Sequence, residues 1–121
     1  MPSITGRMGV ILTVRDAARS ASWHGELLGM VVPYDYEAHD GSTHLVCLDH
    51  SDIDLDLCLV SHAGGDGDSF SELRTGLDHL EFIVAKRDDL AEWAERLGQM
   101  SVTHSGVKVL DYTWNLMIKR P

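Results

Sequence analysis

Residues 10–23 read VILTVRDAARSASW, and residues 80–93 read LEFIVAKRDDLAEW with the same order of apolar and polar positions. The two stretches are offset by 70 residues without a gap. In each, a short alternation of apolar and polar residues predicts a strand that runs into an amphipathic helix. The repeat therefore predicts a domain built from two similar units. The two copies differ at a position with a chemically reactive side chain: His79 in the second copy aligns with Gly9 in the first.

The composition is that of one compact domain. The chain has 121 residues, of which 44% are hydrophobic, and a formal net charge of −9. This size supports one core but not two, and the negative charge opposes binding to a phosphate backbone. No apolar run approaches the roughly 20 residues of a membrane span, and residues 1–7 do not resemble a signal peptide. We therefore expect a cytoplasmic protein with neither nucleic-acid nor membrane partners.

The first unit, residues 8–61, is predicted to have the order βαβββ. A strand at about 8–14 leads into a helix at about 17–28, with Asp16 as the N-cap and Gly29 as the stop. Three strands follow, at about 31–37, 43–48 and 53–60. The last of them, IDLDLCLV, alternates strictly and is the strongest strand signal in the chain.

The second unit, residues 77–121, repeats this order in shorter form. The pattern predicts a strand at about 78–84, a helix at about 88–97, a short strand at 101–104, a loop through Gly106 and a strand at 113–118. The unit is thus one strand short of the first. The Gly- and Asp-rich stretch between the units, residues 62–76, is interpreted as a solvated linker, because it lacks the ligand count of a calcium loop.

Two cysteines, Cys47 and Cys58, fall on strands predicted to be adjacent. Without a secretory context, two separate buried thiols are the favoured interpretation, with a disulfide or redox pair as the alternative. The spacing is not that of a CxxC motif.

Four stretches carry a resemblance to a known family: LTVRD at 12–16, SASWHGELLGM at 20–30, GLDHLEFIV at 76–84 and DLAEWAERL at 89–97. Their order and spacing resemble the vicinal oxygen chelate superfamily of glyoxalases, bleomycin-resistance proteins, fosfomycin-resistance enzymes and extradiol dioxygenases. The resemblance implies a single α+β domain over residues 1–121, in which tandem βαβββ units form a half-open mixed-sheet barrel. We expect residues 1–121 to lack the eighth strand of that barrel.

The resemblance also implies where a divalent metal (Fe, Mn, Ni or Zn) would bind. Ligands would come from Gly9, from the end of the fourth strand around Cys58–His62, from His79 and from an acid on the eighth strand. His79 matches this pattern and His62 is a second candidate, but Gly9 has no side chain. Glu81 lies two residues from His79, on the same side of the predicted strand, and is the candidate catalytic carboxylate.

The candidate residues for the wall of a ligand cavity are Cys58, Tyr112 and Trp114, with Tyr34 and Tyr36 as further possibilities. His24, next to Trp23 in the first helix, is expected at the surface.

Two functions remain open. The favoured one is a metal-free protein that binds a small apolar or aromatic molecule, because too few metal ligands are present. The alternative is a metal-dependent lyase, isomerase or ring-cleaving dioxygenase that uses His79 and Glu81. A homodimer is expected in either case, since a missing strand leaves an open sheet edge.

Overall fold

A computed structural model describes residues 1–65, 67–110 and 113–119 of the chain. The elements in order are β1 (Met8–Thr13), α1 (Ala17–Leu28), β2 (Val31–Glu37), β3 (Thr43–His50), β4 (Ile53–His62), α2 (Arg87–Gln99), β5 (His104–Val109) and β6 (Trp114–Ile118). The chain divides into two compact units, Met1–Phe70 and Ser71–Pro121. Within the described ranges, no helix has the length and apolar character needed to cross a membrane.

The first unit has the predicted βαβββ order. Its four strands form one mixed sheet in the order β1-β4-β3-β2. β1 runs parallel to β4, while β3 is antiparallel to both of its neighbours. The three strands after α1 form a meander that returns the chain to β1. The predicted α+β architecture with a mixed sheet is therefore confirmed.

The core of the first unit lies where α1 covers one face of this sheet. The largest fully buried side chains there are Leu48, Leu57 and Leu59. Each fully buried leucine contributes about 1.5–3 kcal/mol through the hydrophobic effect. The helix begins and ends as predicted, because the Asp16 carboxylate accepts a hydrogen bond from the Arg19 amide at 3.0 Å and Gly29 adopts a φ of 67°.

His24 is buried, contrary to the surface position expected for it. Only 6% of the residue is exposed, and its Nδ1 lies 2.7 Å from the carbonyl oxygen of Ser20. Its ring meets that of Trp23 edge-on, with 4.8 Å between the centroids. The helical spacing from Ala17 and Ala21 places position 24 on the inward stripe, and this spacing outweighs the polarity of the imidazole.

The second unit contains α2 and an antiparallel hairpin of β5 and β6. The Asp89 carboxylate accepts a hydrogen bond from the Lys86 amide at 3.2 Å at the start of α2. The predicted loop through Gly106 was wrong, since this residue lies inside β5. The strand register shifts between His104 and Val107, and Gly106 has a φ of 73°. A glycine with positive φ thus accommodates an irregularity within the strand and does not end it.

Residues 77–84 do not form the predicted strand. Their alternating pattern is real, but large apolar side chains in this segment are exposed, with Ile83 90% and Leu77 50% accessible. A strand also needs a neighbouring backbone to bond with, and this segment belongs to neither of the two sheets. The pattern alone therefore overpredicted regular structure here.

Cys47 and Cys58 are joined by a disulfide, which corrects the expectation of two separate thiols. They lie directly opposite each other on β3 and β4, with their Cα atoms 4.0 Å apart. The sequence indicated adjacent strands but not this register, and the register decides whether two cysteines meet.

Candidate functional site

The candidate site lies on the face of the four-stranded sheet that α1 does not cover. Two neighbouring rows of side chains cross all four strands there. One row is Ile11, Cys58, Cys47 and Tyr34, and the next is Thr13, Val60, Leu45 and Tyr36. We call these eight residues the open face. They share a side because side chains alternate along each strand and align across the ladder.

The open face combines a buried apolar floor with exposed apolar side chains. Cys58 and Val60 on β4 are only 7% and 8% exposed, whereas Ile11 is 63% exposed. The rings of Tyr34 and Tyr36 lie nearly parallel, with 6.5 Å between their centroids. Exposed apolar surface of this kind is typical of sites that bind another molecule.

Charged groups lie at one end of the open face. The guanidinium of Arg7 donates a hydrogen bond through Nε to Asp56 Oδ2 at 3.1 Å and is also paired with Asp54. The hydrogen bond from Arg7 lowers the pKa of Asp56 below its ordinary value. Asp56 shares one side of β4 with Cys58 and Val60, so this ion cluster borders the apolar floor.

His62, a predicted metal ligand, lies at the other end of β4. Its Nδ1 is 3.4 Å from the hydroxyl oxygen of Thr43, its partner across the β3–β4 ladder. His62 lies on the same side of β4 as Cys58 and Val60, as predicted, because the strand continues through His62. The side chain therefore borders the open face, and its neighbour is a hydroxyl.

His79 and Glu81 are close together, as predicted, although no strand holds them. The Nε2 atom of His79 lies 4.0 Å from Glu81 Oε2. A second carboxylate, Asp78, accepts a hydrogen bond from His79 Nδ1 at 2.7 Å. This bond, with the charges of both acids, raises the pKa of His79 above its ordinary value.

Asp78 is the residue that the sequence reasoning missed. A carboxylate that accepts a hydrogen bond from Nδ1 fixes the tautomer in which Nε2 is the free nitrogen of the neutral imidazole, as is common for metal-bound histidines. The only sequence signal for the contact between Asp78 and His79 is that the two residues are adjacent. The alternation of a strand predicts a shared side only for His79 and Glu81.

The donor set does not amount to a complete metal site. Within residues 1–65, 67–110 and 113–119, no three His, Cys, Asp or Glu side chains are grouped as metal ligands. Gly9, which aligns with His79 in the repeat, pairs with Asp56 in the sheet and has no side-chain donor atom. Open catalytic metal sites generally use three protein ligands, so the described residues do not fit one.

The remaining predicted cavity residues have different surroundings. Cys58 forms part of the floor of the open face. Trp114 lies on β6 and is 47% exposed, with the guanidinium carbon of Arg87 5.5 Å from the centre of its ring. This cation–π contact joins α2 to the hairpin of the second unit. Tyr112 lies outside the described residues.

Comparison with solved structures places this fold among known relatives. A glyoxylase/bleomycin resistance protein/dioxygenase domain from Frankia sp. EAN1pec is 32% identical, with 97% of this chain and 90% of that one covered and a TM-score of 0.82. A glyoxalase family protein from Enterococcus faecalis has a TM-score of 0.68 at 16% identity, with 91% and 83% covered.

A variant of the fosfomycin resistance protein FosX from Listeria monocytogenes also shares the fold. Its structure, with Mn(II) and 1S,2S-dihydroxypropylphosphonic acid, aligns at a TM-score of 0.64 and 16% identity over 90% of this chain and 79% of that one. The search of curated proteins gave no match.

The family model of the Glyoxalase/Bleomycin resistance protein/Dioxygenase superfamily matches residues 7–117. This match and the similarity to the Frankia domain confirm the resemblance and the glyoxalase fold that the sequence motifs indicated. The chain belongs to the glyoxalase/bleomycin resistance protein/dioxygenase superfamily.

Proposed function

We propose that this protein binds a small apolar or aromatic molecule on the open face of its four-stranded sheet, without a full metal site. The observation that carries the proposal is the pair of side-chain rows on that face. Their floor is buried, while Ile11, Tyr34 and Tyr36 project exposed apolar surface from the edge strands.

The chemistry of the open face favours an uncharged ligand. Arg7 is already paired with Asp54 and Asp56, so it is not a free cation for an anionic group. The stacked tyrosine rings offer π surfaces and two hydroxyls. An aromatic ring packed against them gains about 0.5–1.5 kcal/mol beyond the burial of its area.

A neutral fluorescent probe, N-phenyl-1-naphthylamine, tests this proposal directly. We expect saturable enhancement of its fluorescence by the native protein and a dissociation constant about tenfold higher for Ile11→Ser, equivalent to about 1.4 kcal/mol of lost contact. Met8→Ser is the matched control, because Met8 lies on the same strand and is 64% exposed against 63% for Ile11, but it has the opposite side-chain direction. Equal effects of the two substitutions, or no saturation, would overturn the proposal.

A divalent-metal enzyme is the second candidate, and one observation favours it. Asp78 orients His79 so that Nε2 is available beside Glu81. The lack of further grouped donors in the described part of the chain speaks against it. Elemental analysis of protein purified without chelator separates the two. We expect substoichiometric Fe, Mn, Ni and Zn, whereas one metal per chain that is lost in His79→Ala would favour the enzyme.

We further propose that the protein is a homodimer. β1 and β2 are the two edges of the four-stranded sheet, and the segment 77–84 exposes Leu77, Phe82 and Ile83. Open edges and exposed apolar side chains are surfaces that proteins normally cover. Light scattering after size-exclusion chromatography is expected to give twice the chain mass of 13.4 kDa. A monomeric mass across the micromolar range would refute this part.

A further inference from the structure

The disulfide of Cys47 and Cys58 lies in the middle of one row of the open face. The row runs from Ile11 through Cys58 and Cys47 to Tyr34. Both cysteines are on interior strands, and the sheet ladder continues on either side of them through the pairs Leu45–Val60 and Leu48–Leu57. Backbone hydrogen bonds of the ladder therefore keep the two cysteine residues opposite each other whether or not their sulfur atoms are bonded.

The two sulfur atoms differ in how well they can be reached. Cys58 is 7% exposed, whereas Cys47 is half-buried. Tyr34, the neighbour of Cys47 on the outer side, is 52% exposed and belongs to an edge strand. A small molecule that approaches the open face thus meets Cys47 first. Access is one of the factors that decide which sulfur of a disulfide is attacked.

We propose that the Cys47–Cys58 pair is a thiol-exchange site for low-molecular-weight thiols. A thiolate attacks Cys47 Sγ, a bond forms between the two sulfurs, and Cys58 leaves as a thiolate that takes up a proton. A second molecule of the thiol then attacks the sulfur that the first one contributed. This releases Cys47 and a small-molecule disulfide, so two thiols are oxidised by two electrons while the protein disulfide is reduced.

The exchange is reversible because the strand pairing keeps Cys58 beside Cys47. Cys58 remains opposite the mixed disulfide at Cys47 and expels the small thiol when the thiol concentration falls. Burial keeps Cys58 from carrying an adduct of its own. The mixed disulfide therefore accumulates on one cysteine only, and it places the organic group of the thiol on the open face.

Mass spectrometry of the native protein tests the site. The oxidised protein is incubated with graded mixtures of 2-mercaptoethanol and its disulfide, quenched in acid, alkylated and digested. We expect the mercaptoethanol adduct on Cys47 and the alkyl label on Cys58. An adduct chiefly on Cys58, equal labelling of the two, or opening of the bond only in denaturant would overturn the proposal.

Two single variants give an independent measurement. Cys58→Ser retains Cys47 and is expected to react with 2-mercaptoethanol disulfide at least about tenfold faster than Cys47→Ser, which retains only the buried cysteine. Far-UV circular dichroism must show that both variants are folded. The peptide map of the native protein decides the question if either variant is not.

Discussion

His79 Nδ1 donates a hydrogen bond to the carboxylate of Asp78, the residue before it in the chain, over 2.7 Å. The bond forms outside regular secondary structure, because neither residue belongs to a helix or a strand. It raises the pKa of His79. At a given pH near neutrality, a larger share of His79 is therefore cationic than of an unperturbed histidine.

Replacing the carboxylate tests this relationship. We expect Asp78→Asn to lower the pKa of His79 towards the ordinary histidine value, since the charge-assisted hydrogen bond is lost. Glu81→Gln should lower it less, because that carboxylate is 4.0 Å away. Proton NMR titration of the imidazole resonances measures both shifts, with Glu95→Gln on α2 as the control. An unchanged pKa in Asp78→Asn would contradict the hydrogen bond.

Asp56 provides a second titration with the opposite sign. Its pKa is lowered by the hydrogen bond from Arg7, so the pair stabilises the fold above the unfolded pKa of the carboxyl and is lost as the pH falls through the folded value. We expect Arg7→Gln to raise the pKa of Asp56 in a carbon-13 NMR titration. Lys119→Gln, in the second unit, serves as the control. No change in Arg7→Gln would show that the ion pair is not formed in solution.

Core packing predicts a large effect at Leu57. The side chain is fully buried between α1 and the sheet, and its truncation leaves a cavity. Leu57→Ala is expected to lower the free energy of unfolding by about 2–5 kcal/mol. Leu73→Ala makes the same chemical change at a residue that is 91% exposed, and its effect should be within about 0.5 kcal/mol. Urea denaturation of both variants measures the difference.

Two glycines give a matched pair for backbone strain. Gly29 ends α1 with a φ of 67°, whereas Gly9 lies in β1 and has open space where the Cβ of a larger residue would lie. Gly29→Ala is expected to cost about 1–2 kcal/mol, since a side chain is unfavourable in the left-handed region. Gly9→Ala should be neutral or slightly stabilising, because alanine restricts the unfolded chain. Thermal unfolding that ranks the two variants in the reverse order would refute this.

The first unit was largely predictable from the sequence because each of its elements carries a local signal. Asp16 and Gly29 mark the ends of α1, and strict alternation marks β4. Register was not predictable, since it depends on how strands align with one another. The meeting of Cys47 with Cys58, and the rows that make up the open face, follow from that register.

The second unit was harder to predict for a related reason. The alternation at 77–84 correctly indicates apolar positions, but whether they become a strand depends on a partner backbone that no local pattern specifies. Gly106 shows the converse, because a glycine that usually signals a loop here lies within a strand. At the candidate site, the proximity of Glu81 to His79 was predictable from their spacing. The contact of Asp78 with His79 was not, because adjacent residues of a strand point to opposite sides.

The parallel pairing of β1 with β4 has a consequence for the order of folding. α1, β2 and β3 all lie between these partners in the chain, whereas β2, β3 and β4 are joined by short turns. Closing the long loop costs more entropy than closing the turns, so the meander is expected to assemble before β1 docks. Ile11 is then the last residue to join its row. Before β1 docks, the open face consists only of the residues on β2, β3 and β4, and the backbone hydrogen-bonding groups on the outer edge of β4 are unpaired.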